Sequence, residues 1–426
     1  MNKSKEKARR RFKTIKSPLF HTIMHVSIII VVYLVLLILR KTNVIDSDLA
    51  NDIVDIGVIS AILITLLSGA LASLFVWWYT KKHSEDVRIN YENIGIVKKY
   101  SLSNLYEYKN GNESVLFPII VIADAYNKEF KYIDDYNKFY ELPQEINKNS
   151  KDILSAYKGN VTYNAINVRL DDVKEDNNII NLYTSRTYYY SSLKTNRAPD
   201  YILDNGETIR EMYEPGPYVR ELKDSKMSNH LGFNGFIITS DGYIPLIIRS
   251  KDLSIGKKTL GNSVAASLKT KYAIDNSDNH TLKEYPLGES IINEIYDELN
   301  LESINLGLND LGINPRQLEK QIICFYRDLV EVGKPQFLFY TKIKQTKAQL
   351  EKSLANNSKI EDKKLKKVLK DGEKALFLSI DDLMNNISIT YNSILDKSTN
   401  TRYTMMPSAA ACIALFKDFM SSRAII

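Results

Sequence analysis

Two long uncharged apolar runs constrain this chain more than any other feature. Residues 19–39 are 21 consecutive positions without a formal charge, dense in Ile, Val and Leu. Residues 56–79 are 24 more, ending in Trp77, Trp78 and Tyr79. At about 1.5 Å of rise per residue, a helix through either run matches the roughly 30 Å hydrocarbon core of a bilayer. Between them lie Arg40 and Lys41, then Asp46, Asp48, Asp52 and Asp55. Eight basic residues precede the first run, and Lys81 and Lys82 follow the second. The positive-inside rule puts both termini in the cytoplasm and the acidic loop outside. The sequence predicts a basic cytoplasmic arm (1–18), a two-helix transmembrane hairpin (19–80) and a cytosolic remainder. Ala61, Thr65, Gly69 and Ser73 recur at four-residue intervals on the second helix. Such a small-residue stripe suits close packing against the first helix, or a seam between protomers of a homo-oligomer.

The net charge of +6 is not spread over the molecule. Residues 1–19 hold eight Lys and Arg against Glu6, a charge of +7, so the remainder sums to −1. A body without a basic excess argues against a DNA or RNA polymer as partner. Two cysteines, Cys324 and Cys412, provide no disulfide framework, and no Cys/His spacing suits zinc.

The cytosolic part divides by pattern into a connecting region (81–180) and a domain (181–426). In the first, residues 114–122 read as a strand, 126–157 as loop and short helix, and 165–168 and 179–183 as strands. In the second, 235–239 and 243–249 read as a hairpin turned by Ser240, Asp241 and Gly242. A helix is expected over 288–301, a strand over 336–340, a charged helical region over 347–370, a strand over 375–378 and an apolar helix over 406–421.

One helix carries a chemical signal. Glu294, Asp297 and Glu298 stand at i, i+3 and i+4, so three carboxylates share a face. Oxygen ligands at this density suit Mg²⁺. The stretch Asn293, Glu294, Ile295, Tyr296, Asp297, Glu298, Leu299, Asn300, Leu301 resembles the second half of a Nudix box, Arg-Glu-apolar-any-Glu-Glu-any-Gly-apolar. The order of elements around it is also Nudix-like, over roughly residues 180–426. The resemblance implies an α/β (α+β) Nudix-like sandwich with an N-terminal extension, behind the two membrane helices. It departs from the family at the bracing Arg, which is Asn293. The loop glycine falls on Asn279, the upstream Glu on Tyr285, and the closing glycine on Asn300, a residue that tolerates the left-handed conformation of a helix C-cap. In Nudix hydrolases these carboxylates hold Mg²⁺ and prepare a water for attack on a phosphoanhydride. Here the box is degenerate.

Membrane helices joined to such a domain resemble the transmembrane–Nudix effectors of bacterial cyclic-oligonucleotide (CBASS) anti-phage defence. That resemblance implies an inner-membrane protein that senses a cyclic oligonucleotide, oligomerises and breaches the bilayer. Phosphate recognition calls for guanidinium and ammonium groups beside aromatic rings. The candidates are Arg186, Lys194, Arg197 and Arg210, with Tyr188, Tyr189 and Tyr190 among them, and Arg249, Lys251 and Lys269 further on. The competing readings are a membrane-tethered, Mg²⁺-dependent Nudix pyrophosphohydrolase of nucleoside diphosphate derivatives, with Glu294, Asp297 and Glu298 as metal ligands, and a membrane-anchored scaffold.

Overall fold

The computed structural model describes residues 95–110, 113–155, 157, 164–249, 259–278, 280–357 and 372–423, together with Ser60, Ser68, Gly69 and Leu71. The chain divides into two compact units, Met1–Asp86 and Val87–Ile426, and the elements described here belong to the second. Its first described elements are the helix Gly95–Lys99, the hairpin of β1 (Glu107–Asn110) and β2 (Glu113–Leu116), β3 (Ile119–Asp124) and the long β4 (Glu129–Phe139). Two short helices lead to β5 (Ile166–Asp176) and β6 (Ile179–Tyr188). After the helices Tyr189–Lys194 and Ile209–Tyr213 come β7 (Gly232–Ile238), β8 (Tyr243–Arg249) and β9 (Val264–Ser267). The helices Pro286–Glu298 and Pro315–Lys320 precede β10 (Ile322–Asp328) and β11 (Lys334–Lys342). Beyond the helix Lys347–Asn357 lie β12 (Gly372–Ser379), the meander of β13 (Ile387–Thr390), β14 (Ser393–Asp396) and β15 (Thr401–Thr404), and the helix Pro407–Arg423.

A mixed five-stranded sheet, ordered β3-β10-β11-β7-β9, is the centre of this unit. β11 and β7 run parallel and the other pairs antiparallel. Alternate side chains of each strand face opposite ways, and the two faces bury separate cores. Phe233, Ile237, Phe325, Phe337 and Phe339 pack with Ile291 and Ile295 of the helix Pro286–Glu298. On the other face, Phe236, Tyr326 and Leu338 pack with Ala410, Ile413 and Phe416 of the helix Pro407–Arg423. Each fully buried Phe, Leu or Ile contributes about 1.5–3 kcal/mol. Gly235 is required on the first face, because a Cβ there would overlap the Phe339 ring. Cys324 of β10 and Cys412 of the last helix are both buried and not disulfide-bonded, and Tyr326 Oη lies 3.2 Å from Cys412 Sγ.

The helix Pro286–Glu298 starts with proline at its first turn, where the missing N–H costs nothing. Its first free N–H groups are capped from outside: Glu319 Oε1 accepts from Leu287 N at 3.0 Å and Gly288 N at 3.3 Å. The same oxygen accepts from Tyr132 Oη of β4 at 2.8 Å. Gly288 lies against the Pro315 carbonyl, leaving no room for a Cβ.

A second sheet, β4-β6-β5, stands beside the first, with β4 and β6 parallel. β4 is a strand where loop and short helix were expected. The strand expected over 114–122 is broken at Phe117 and Pro118 into β2 and β3. The turn at Asp241 and Gly242 forms, with Thr239 N donating to the Tyr243 carbonyl at 2.8 Å. Its arms, however, splay instead of pairing: β7 lies between β11 and β9, and β8 pairs with β12. Both strands are buried along most of their length, so each takes its partners from the core around it.

The expected fold, two transmembrane helices ahead of a sandwich, is corrected by this architecture. The protein is α+β with mixed sheets, and no helix among the described residues is long and apolar enough to cross a membrane. The longest of these helices, Pro407–Arg423, has 17 residues, carries Lys417 and Asp418, and spends its apolar side chains on the core. The arm 1–18 and the runs 19–39 and 56–79 lie outside the described residues, apart from Ser60, Ser68, Gly69 and Leu71.

Candidate functional site

The carboxylate helix presents its three acids as its spacing predicts, but each has a partner within the protein. Lys269 Nζ lies 2.5 Å from Glu294 Oε1, with the carboxylate side chain 4% and the lysine side chain 33% exposed. Tyr272 Oη donates to Asp297 Oδ2 at 2.7 Å, and Ala265 N to Glu298 Oε2 at 3.2 Å. β9, Lys269 after it and the helical turn Thr270–Ala273 bring all three partners to the helix. Burial raises the pKa of Glu294 against the pull of Lys269. Burial opposes the charge on Lys269, yet Glu294, with Glu298 and Asp297 behind it, lifts its pKa above the ordinary value. An ammonium group thus sits on the carboxylate that a Nudix hydrolase would give to Mg²⁺. Among the described residues no group of three or more His, Cys, Asp or Glu is placed to hold a metal ion. The position Asn279 lies outside the described residues, and Asn293 donates to the Glu289 carbonyl of its own helix at 2.8 Å.

The cationic candidates do not gather at one point. Arg186 is buried on β6 and holds Asp134 of β4 with both terminal nitrogens, at 2.7 Å each. Arg210 is 2% exposed and donates to the Leu329 and Val330 carbonyls at 2.6 and 2.7 Å. Lys194, at the end of its helix, is half-buried, and burial lowers its pKa. Arg197 and Arg249 both act on one acid. Arg197 Nε lies 3.9 Å from Glu331 Oε2, and the charge of Arg249 also reaches Glu331. Lys251 lies outside the described residues.

Glu331, which the sequence reading passed over, belongs to the turn between β10 and β11. Lys334 Nζ is 3.1 Å from Glu331 Oε2, and both side chains are about as buried as the core. Burial works against the Glu331 charge, but Lys334 and Arg197 hold its pKa below the ordinary value. Asp328, also buried, is pushed up to about 7 by burial and by Glu331. His230 is fully buried beside this group, and its pKa falls well below 6.5 through burial and the charges of Lys334 and Arg197. The available signal was a run of Asp328, Glu331 and Lys334 embedded in strongly apolar sequence, where charges are rarely buried unless paired.

No family model matches the chain, and no curated protein matches it. Function therefore rests on the site itself. A cleft of about 930 Å³ opens over the β4-β6-β5 sheet. Lys138, Lys174, Lys223, Lys226 and Arg169 line it, with Tyr140, Tyr183 and Tyr213. Six carboxylates share the lining, so the cleft is charge-balanced, not cationic. At its rim Phe139 stacks on Tyr188 with centroids 5.5 Å apart, and both rings are about two-fifths exposed (40% and 39%).

Glu319, which caps the carboxylate helix, makes that helix sensitive to pH. Burial raises its pKa to about 7 despite three hydrogen bonds to one oxygen. A carboxyl with a raised folded pKa favours the fold while protonated. Its contribution is complete below the unfolded value and is lost as the pH climbs through about 4.3 towards the folded value. Glu319→Gln keeps the accepting oxygen and removes the charge. Urea unfolding at about pH 5 and about pH 8 should show the variant gaining about 2–3 kcal/mol on the parent across that interval. Parallel curves for the two proteins would mean that Glu319 stays ionised throughout.

Proposed function

We propose that this protein binds a nucleotide of the cyclic-oligonucleotide class without consuming it, and acts as a sensor and effector at the bacterial inner membrane in anti-phage defence. The observation that carries this reading is Lys269 on Glu294. A hydrolase of the Nudix kind needs that carboxylate for a metal ion, and here a side chain of the protein supplies the cation. Mg²⁺ would have to displace Lys269, Tyr272 and the Ala265 amide in turn. Binding is supported by the cleft, whose volume of about 930 Å³ suits a small cyclic nucleotide, and by the exposed Phe139–Tyr188 pair, a surface on which a base can stack. Assembly of protomers on binding would be a population shift, which needs a ligand that prefers the assembled state.

Calorimetric titration of the full-length protein with a panel of cyclic di- and trinucleotides should give saturable binding. The ligand should be recovered intact after prolonged incubation with Mg²⁺. Glu298→Gln should change neither result, and cells expressing the protein with a cognate cyclase should admit a membrane-impermeant dye. Mg²⁺-dependent turnover that Glu298→Gln abolishes would establish the hydrolase instead. Neither binding nor dye entry would leave the scaffold.

A further inference from the structure

The buried group around the β10–β11 turn leaves several polar atoms without a hydrogen bond. His230 has no hydrogen-bond partner on either ring nitrogen, and Asn229 none on Nδ2, although both residues are fully buried. Buried polar atoms in native proteins are nearly always satisfied, so such atoms require an explanation. They are tied to Glu331 through the chain. Asn196 Nδ2 donates to the Glu331 carbonyl at 3.0 Å and to Asn229 Oδ1 at 3.3 Å, and Asn229 N donates back to Asn196 Oδ1 at 2.9 Å. Lys334 Nζ and Arg197 Nε meet on one carboxylate oxygen, Glu331 Oε2, at 3.1 and 3.9 Å. An ammonium and a guanidinium therefore share the Glu331 carboxylate, an amide holds its carbonyl, and the imidazole of His230 lies within reach of the Lys334 and Arg197 charges. Donors of this kind match an anion with several oxygens better than they match one carboxylate.

The turn that carries Glu331 is strained. Val332 follows it with φ +55°, a left-handed conformation that a β-branched residue rarely adopts, and its side chain is buried. Surrounding bonds hold it there: Arg210 grips the Leu329 and Val330 carbonyls, and Arg327 Nε donates to the Gly333 carbonyl at 2.9 Å. Backbone strain persists only where neighbours enforce it, and it clusters at ligand sites and switches. Arg197, with a side chain 15% exposed, is the edge at which the group reaches solvent.

We propose that Lys334, Arg197, His230 and Asn229 form a site for one phosphoryl oxyanion, and that Glu331 is the internal carboxylate such an anion displaces. The inference rests on the sensor reading and names a phosphate-holding point apart from the cleft, whose lining includes none of these four residues. Displacement would free Glu331 to leave the strained turn, giving the bound and unbound proteins different conformations at 329–333.

Equilibrium dialysis of the full-length protein against radiolabelled inorganic phosphate at constant ionic strength tests it. Glu331→Gln removes the competing charge and should tighten phosphate retention about tenfold. Arg197→Gln should weaken retention in both backgrounds. Equal retention by the parent and Glu331→Gln overturns the proposal. Should Glu331→Gln fail to fold, by circular dichroism, equal retention by the parent and Arg197→Gln overturns it. The cyclic nucleotide panel separates the two readings. Arg197-dependent phosphate retention with no nucleotide binding keeps this site and removes the sensor. Nucleotide binding together with phosphate retention that Arg197→Gln leaves unchanged keeps the sensor and removes this site.

Discussion

Replacing Lys269 with methionine is expected to destabilise the protein by about 3 kcal/mol at neutral pH, the lower end of what breaking a buried ion pair costs. Glu294 would remain 4% exposed with its counter-charge gone, while the lysine it loses is one-third exposed and partly hydrated already. The sign of the pH dependence follows from Glu294. Its folded pKa is raised by burial, and losing Lys269 raises it further. The deficit is therefore present above that pKa and shrinks as the pH falls and the carboxyl takes a proton. Lys269 itself has a raised pKa, so its favourable contribution lasts until the pH climbs past the ordinary lysine range. The double variant Lys269→Met, Glu294→Gln should recover most of the loss, and a double-mutant cycle by urea unfolding measures the coupling. Additive losses would mean that the pair is not a unit and that Glu294 is held by something else.

Arg210→Met should cost about 3–5 kcal/mol, because it strips donors from two buried carbonyls at once. The guanidinium reaches the Leu329 and Val330 oxygens through separate terminal nitrogens and Asp200 Oδ1 through Nε at 3.1 Å. Arg210→Lys keeps a charge but cannot reproduce that fork, so it should recover less than half of the loss. Hydrogen exchange gives a second readout. Amides of residues 329–333 should exchange faster in Arg210→Met than those of β7 and β11, since the clamp acts on the turn. Uniform acceleration would make Arg210 an ordinary packing residue.

These expectations show where the sequence could be read and where it could not. The helix Pro286–Glu298 and its acidic face were legible from spacing, because i, i+3 and i+4 side chains must meet whatever surrounds them. Their partners were not. Lys269 lies 25 positions before Glu294, and only β9 and the following turn bring the two together. Arg186 read as a phosphate ligand because Asp134, 52 residues away, is joined to it only by the β4–β6 pairing. The strand β4 was hidden by its Lys, Glu and Asp residues, although Phe130 and Tyr132 keep the alternation of a half-buried strand. The Asp-Gly turn was legible as a turn. Which strands its arms join is decided by burial on both faces, which no local pattern encodes.

The two buried cysteines have a practical consequence. Thiol reagents attack the thiolate, and burial lifts the pKa of Cys324 well above its usual value and that of Cys412 to about 12. The folded second unit is therefore chemically silent to maleimides without any substitution. A cysteine placed at an exposed position such as Tyr218, 64% accessible, would carry a fluorophore alone. Labelling of Cys412 would then mark the moment the last helix leaves the sheet, so the chain carries its own unfolding clock.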